Sequence, residues 1–264
     1  MTGRTESPQD AFARRAARAD LLAPSTPSAA EPLRFAAGLY REQAAAAAAL
    51  AGRALTGRLD DDLAALMGGM KKILAYVAAR GPGALAAAAK GRALDEGLAT
   101  FWRGGRSGAT DYLARARLRP WVTVLAASGV KPEPGATTGS GLDGRCDFCG
   151  GLAWIGARRP TPGGNESATR YVACALCGTE QPVARIACPS CGEQKPDALP
   201  NFHSEKHPGV RLEACSTCHR YVKSLDLTVD GRLIPEVDDL ASLALDLWAV
   251  EKGYTRIEPG LAGI

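Results

Sequence analysis

The chain reads as an α+β protein: an N-terminal helical domain, two small four-cysteine metal ribbons and a C-terminal helix. Three observations carry that reading. The first half is built of alanine- and leucine-rich stretches with arginines at intervals and contains no cysteine. All eight cysteines lie in the second half, as the pairs Cys146/Cys149, Cys174/Cys177, Cys188/Cys191 and Cys215/Cys218. Between the halves, Lys131 to Gly141 (KPEPGATTGSG) is dense in proline, glycine and small polar residues, the composition of a linker. The expected domains are a helical domain over 1–131, a linker over 132–144, ribbons over 145–182 and 183–230, and a C-terminal helix and tail over 231–264.

In the first half a helix is expected from Pro8 to Leu22, with Phe12, Ala16 and Ala19 on one side. The next opens at Glu31-Pro32, where proline suits the first turn, and runs through Phe35, Leu39, Gln43 and the six alanines Ala44 to Ala49. Such an alanine run is strongly helical and offers a thin side-chain layer, so close helix-on-helix packing is expected. Asp60-Asp61-Asp62 places carboxylates at the positive end of a third helix, Leu63 to Arg80, which Gly81-Pro82-Gly83 stops. Further helices are expected over Ala84–Trp102 and Thr110–Ala127, the second divisible at Pro120-Trp121.

Each Cys-x-x-Cys turn aims two thiolates at one point, and two turns complete a closed tetrahedral site. Between Cys149 and Cys174 lie 24 residues, between Cys191 and Cys215 lie 23, and only 10 lie between Cys177 and Cys188. The simplest pairing is a duplication: Cys146/Cys149 with Cys174/Cys177, then Cys188/Cys191 with Cys215/Cys218. An interleaved pairing requires longer loop closures. Gly150, Gly178 and Gly192 follow three of the turns, where positive φ lets amides face the sulfurs. His219 holds the fourth place, which is expected to be strained or differently turned, and its ring is a candidate donor to the sulfurs. Disulfides need an oxidising compartment. The opening residues have no apolar signal core and no stretch is apolar enough to span a membrane, so a cytoplasmic protein is expected. A thioredoxin-like dithiol would occur once, within a βαβ pattern that is missing here.

Four thiolates per metal leave no open position for substrate or water, which speaks against hydrolytic metal catalysis. Geometry alone does not separate Zn²⁺ from a single iron. His203 and His207 are four residues apart, but Pro208-Gly209 argue for a loop and against a shared metal. Short strands are expected at Leu152–Ile155, Arg170–Ala173, Val183–Ala187, Arg211–Ala214 and Tyr221–Val229, with a turn at Asp230-Gly231. Asp238 to Lys252 reads as an amphipathic helix with Leu240, Leu243, Leu247 and Val250 on its core face, ended by Gly253. Residues 1–135 hold 19 Lys+Arg against 12 Asp+Glu, while the remainder holds 13 against 16. Eight thiolates with two divalent metals would take that acidic half to about −7. Zinc ribbons that bind nucleic acid are basic around the metal, so that function is disfavoured.

The segments Arg170–Glu180 (RYVACALCGTE), Arg185–Gly192 (RIACPSCG), Glu213–Lys223 (EACSTCHRYVK), Asp238–Asp246 (DDLASLALD) and Gly253–Arg256 (GYTR) together resemble the formate dehydrogenase accessory protein family, FdhE type. The resemblance extends from about Cys146 to the C-terminus and is fainter at Arg14–Arg18 and Leu33–Gln43. The chain departs from the family at Gln181-Pro182 and Asp147-Phe148. The resemblance implies a cytoplasmic, non-enzymatic assembly factor that binds the catalytic subunit of formate dehydrogenase before assembly or export. It also implies that the eight cysteines hold two metal ions in rubredoxin-like ribbons, iron rather than zinc, with no nucleic-acid partner and no membrane insertion. An iron protein working in redox chemistry or oxygen sensing is the alternative, and a zinc-ribbon nucleic-acid protein a more distant one. Changing Cys188 or Cys215 to serine is expected to cost one metal and unfold the second ribbon while the helical half stays folded.

Overall fold

Among the described residues, six α-helices fill the first half: α1 (Pro8–Leu22), α2 (Ala30–Leu50), α3 (Leu59–Arg80), α4 (Gly83–Ala88), α5 (Leu94–Trp102) and α6 (Ala109–Ser128). The computed structural model describes residues 6–91, 94–105, 109–133, 144–161 and 168–263, so most of the expected linker lies outside the described residues. The chain forms two compact units, one made chiefly of these helices, the other of a sheet with the C-terminal segments and residues 22–33.

The helical unit has its own core, in which Phe35, Leu39 and Ala46 of α2 meet Ile73 and Val77 of α3 and Leu113 and Ala116 of α6. Phe12, Ala16 and Ala19 are the buried residues of α1, as the three-to-four spacing implies. Where Ala84–Trp102 was expected as one helix, the chain leaves the helix after Ala88 and α5 begins at Leu94. The reverse holds at Pro120, which lies inside an unbroken α6. Proline has no N–H for the carbonyl four residues back. That carbonyl, on Ala116, instead accepts a 2.9 Å hydrogen bond from Nε2 of the buried Gln43 on α2. The side chain replaces the missing backbone donor, and the helix continues. α3 begins at Leu59 rather than Leu63, and the aspartates of its first turn are unequal: Asp62 is buried and accepts from the amides of Thr56 and Gly57 and from Trp121 Nε1 at 2.8 Å.

The second unit carries one sheet of seven strands: β1 (Ala153–Pro160), β2 (Ala168–Cys174), β3 (Glu180–Pro182), β4 (Asn201–His203), β5 (Val210–Ala214), β6 (Arg220–Asp226) and β7 (Thr255–Arg256). Its order is β3-β2-β1-β6-β5-β4, with β7 on β6. Each ribbon supplies an antiparallel meander, β1 to β3 or β4 to β6, and the two join through parallel pairing of β1 with β6, Ile155 opposite Lys223. The join is close: a Cβ on Gly156 would come within 2.8 Å of Ser224. β6 stops at Asp226, three residues before the expected end, because its carboxylate accepts the Thr228 amide at 3.0 Å and turns the chain. No strand forms over Val183–Ala187.

The C-terminal segment departs most from expectation. Instead of one helix over Asp238–Lys252, the chain forms α7 (Pro235–Asp238), a 3₁₀ turn (Asp239–Ser242) and α8 (Leu243–Glu251). Gly253 ends α8 at φ 81°, as expected. Leu240 is buried, but Leu247 and Val250 are 54% and 53% exposed, and α8 buries Leu245, Asp246 and Ala249 instead. The reason is charge. Lys223 of β6 and Arg256 of β7 are buried, and Asp239 and Asp246 turn inward to meet them.

Candidate metal centres

The four Cys-x-x-Cys turns share one backbone closure. In each, the amide of the first cysteine donates to the carbonyl five residues on: Cys146 to Gly151, Cys174 to Thr179, Cys188 to Glu193 and Cys215 to Arg220, at 2.8–3.1 Å. The residue after the second cysteine must then turn left-handed. Gly150, Gly178 and Gly192 do so at φ 72°, 75° and 76°. His219 adopts the same turn at φ 54°, the one positive φ among the described non-glycine residues. Its strain is thus accepted and its turn is not different. The ring is exposed and lies 6.2 Å from Tyr254, so the expected approach to the sulfurs is not made.

These closures gather the sulfurs into two groups, Cys146/Cys149/Cys174/Cys177 and Cys188/Cys191/Cys215/Cys218, each with ligand atoms within 4.8 Å of one another. Duplication, and not interleaving, is the pairing. Sulfur separations of 3.6 Å for Cys146–Cys177 and 3.7 Å for Cys188–Cys218 and Cys191–Cys215 suit a metal. A tetrahedron with metal–sulfur bonds of ~2.3 Å has edges of about 3.8 Å. Four thiol donors without a carboxylate suit zinc or a single iron equally, and each group could hold one ion. Amides already face the sulfurs, Leu176 to Cys174, Thr179 to Cys177 and Ser190 to Cys188, each at 3.4 Å. Burial pushes the Cys188 and Cys218 thiols up. At Cys215 burial acts the same way, but the amides of Cys218 and Thr217 outweigh it and the thiol ends lowered.

Neither group includes a histidine. His203 is exposed on the edge strand β4, opposite Arg211. His207 sits in the turn before β5, its imidazole held below the ordinary value by burial and by Lys223 and Lys206.

Two charged constellations, neither marked by local sequence spacing, lie on the strands next to the cysteine turns. Arg170 of β2, four residues before Cys174, donates from Nε and Nη2 to Glu213 Oε2 at 2.9 and 2.6 Å, two residues before Cys215. Its Nη1 donates to the carbonyls of Ala184 and Ala187 at 3.0 Å. That side chain satisfies two carbonyls of the third expected strand, Val183–Ala187, which is why the segment needs no sheet partner. The second constellation, behind β6, places Lys223 Nζ 2.9 Å from Asp239 Oδ1 and against Asp246. Arg256 bonds both carboxylates at 2.9 and 3.1 Å, and Tyr221 donates to Asp246 at 2.8 Å. Arg170, Glu213, Tyr221, Lys223, Asp239, Asp246 and Arg256 all lie within the segments that carry the family resemblance, and that was the available signal.

Comparison with known proteins agrees with this architecture. Residues 186–261 match the family model described as FdhE, C-terminal domain. A "Protein FdhE homolog" of Aquifex aeolicus (strain VF5) is 31% identical over 118 residues, 45% of this chain and 41% of that protein. One from Pseudomonas putida (strain KT2440) is 34% identical over 145 residues, 53% of this chain and 43% of that protein. The matched segments thus span about two fifths of those relatives. In three dimensions the similarity is longer: the crystal structure of the FdhE protein from Pseudomonas aeruginosa superimposes with a TM-score of 0.71 at 26% identity, covering 96% of this chain and 95% of that one.

Proposed function

From the chain's membership of the FdhE family, we propose that it is an accessory protein in the maturation of formate dehydrogenase and not itself an enzyme. In this reading it works in the cytoplasm and binds the catalytic subunit of the dehydrogenase before that subunit is assembled or exported. The observation that carries the reading is the coincidence of the FdhE C-terminal match, residues 186–261, with a complete four-cysteine group. Each group's four sulfurs would close a metal's coordination shell, so the metals would shape a surface and carry electrons at most. No helix among the described residues is long and apolar enough to cross a membrane.

Cys146, Cys149, Cys174 and Cys177 would hold one ion and Cys188, Cys191, Cys215 and Cys218 the other, with iron preferred to zinc on the family resemblance. The chemistry the ions supply is a tetrahedral thiolate clip, with a single-electron couple where the metal is iron. The chain's part is to present eight thiolates on short left-handed loops, three turned by glycine and one by His219, with Arg170 and Glu213 tying together the strands that lead into Cys174 and Cys215. Pull-down from a cell that makes formate dehydrogenase is expected to recover its catalytic subunit, and deletion of the gene to abolish formate oxidation. Normal formate oxidation in the deletion strain, with no catalytic subunit recovered, would overturn the proposal. As purified from anaerobic cells, the protein is expected to be red and to bleach with dithionite. Colourless protein with two equivalents of zinc would remove iron.

A further inference from the structure

The two centres are built alike but differ in reach. In the first, all four cysteines are buried, and the residues between Cys174 and Cys177, Ala175 and Leu176, are buried with them. In the second, Cys188 and Cys215 are buried, Cys191 is exposed and Cys218 is half-buried. The open positions correspond: Cys191 and Cys218 are the second cysteines of their turns, equivalent to Cys149 and Cys177, which are only 7% and 4% exposed. The residues around them are Pro189-Ser190 and Ser216-Thr217, and Ser216 and Thr217 are exposed. Each turn of the second centre thus has one sulfur anchored at its base and one at its tip.

Metal exchange at a closed thiolate site starts when one thiolate lets go and takes a proton from water while an incoming donor occupies its place. A sulfur with solvent on one side can do this without disturbing its neighbours, and four buried sulfurs cannot. Resting on the reading of the eight cysteines as two metal centres, we propose that the second centre is the exchangeable one, where metal enters and leaves by way of Cys191. The first centre keeps its ion as framework. The ligands that would act there are small chelating or thiol-bearing molecules able to take one position on the metal.

The test uses the full chain loaded with Zn²⁺. Two bound equivalents are expected, and fewer would refute the metal-centre reading itself, and the proposal with it. With both bound, excess EDTA is expected to remove one equivalent at least about tenfold faster than the other, because release needs a detachable ligand. Brief iodoacetamide treatment of the loaded chain, in which a thiolate displaces iodide to form a C–S bond, should label Cys191 first and Cys218 next. Cys191→Ser should abolish the fast phase and leave one equivalent bound. A single release rate for both equivalents, or early label on Cys146, Cys149, Cys174 or Cys177, would overturn the proposal. The release and labelling measurements on the unaltered protein decide it even where Cys191→Ser folds poorly.

Discussion

His219 stands where three sister turns use glycine, and it takes the same left-handed backbone. An L-residue there costs roughly 1–2 kcal/mol relative to its ordinary conformations, less for histidine than for branched residues. His219→Gly is therefore expected to leave the metal-loaded protein as stable or to raise its stability by about 1 kcal/mol, the lost ring contact with Tyr254 offsetting part of the gain. Gly178→Ala, in the same place of the second turn, is expected to cost about 1–2 kcal/mol. Denaturant unfolding of both variants with metal bound checks the pair, and equal losses in both would count against the shared turn. Asp62 makes a second lesson at this scale. The sequence suggested three equivalent carboxylates at a helix start, yet one of them is buried to satisfy two amides and an indole. Nothing in a run of three aspartates says which will face inward, because that depends on Trp121, 59 residues away.

Among the elements, α6 owes its continuity to α2. Gln43 supplies the Ala116 carbonyl with the donor Pro120 lacks. Gln43→Leu should destabilise the helical unit by about 1–3 kcal/mol, the cost of an orphaned buried acceptor. In a Pro120→Ala background the same change should cost clearly less, since residue 120 then brings its own N–H. A double-mutant cycle by urea unfolding reads this difference, and additive losses would reject it. The docking of α8 rests on the buried charges behind β6. Lys223→Met leaves Asp239 and Asp246 with one cation and is expected to cost about 3–5 kcal/mol. Burial works against the charge on Asp239, but Arg256 and Lys223 outweigh it and hold the carboxyl below its ordinary range. A lowered folded value means stability that is fully present above the unfolded carboxyl value, about 3.9, and lost as pH falls through the folded one. Urea unfolding between pH 3 and 7 should show this acid loss, and Asp239→Asn should be less stable at pH 7 with a shallower acid decline.

Across the whole molecule, the consequence is that the two ribbons are not independent. β6 belongs to the second ribbon and pairs in parallel with β1 of the first, so losing either centre loosens one sheet. Cys215→Ser is therefore expected to lose its own metal and unfold the second ribbon, and to weaken the first centre as well. Stripping both ions with a strong chelator should abolish the near-UV signal of Trp154 and Trp248 while most helical far-UV signal persists, because the α2–α3–α6 core is the helical unit's own. Cooperative loss of both signals on chelation would argue against that division.

Most helices of the first half, the two groups of four cysteines, the glycine-turned loops and the resemblance to FdhE proteins are readable from the sequence alone. These are local properties: periodicity, propensity and ligand spacing act within a few residues or through repeated short motifs. Only the tertiary structure decided that the ribbons share one sheet, that Pro120 does not break α6, that α8 turns Asp246 inward and Leu247 outward, and that the second centre faces water. The first three depend on a partner far along the chain, Ser224 for Gly156, Gln43 for Ala116, Lys223 for Asp246. A buried charge or an unpaired carbonyl outweighs the local preference for an apolar face or a broken helix, and its partner is chosen by folding rather than by spacing.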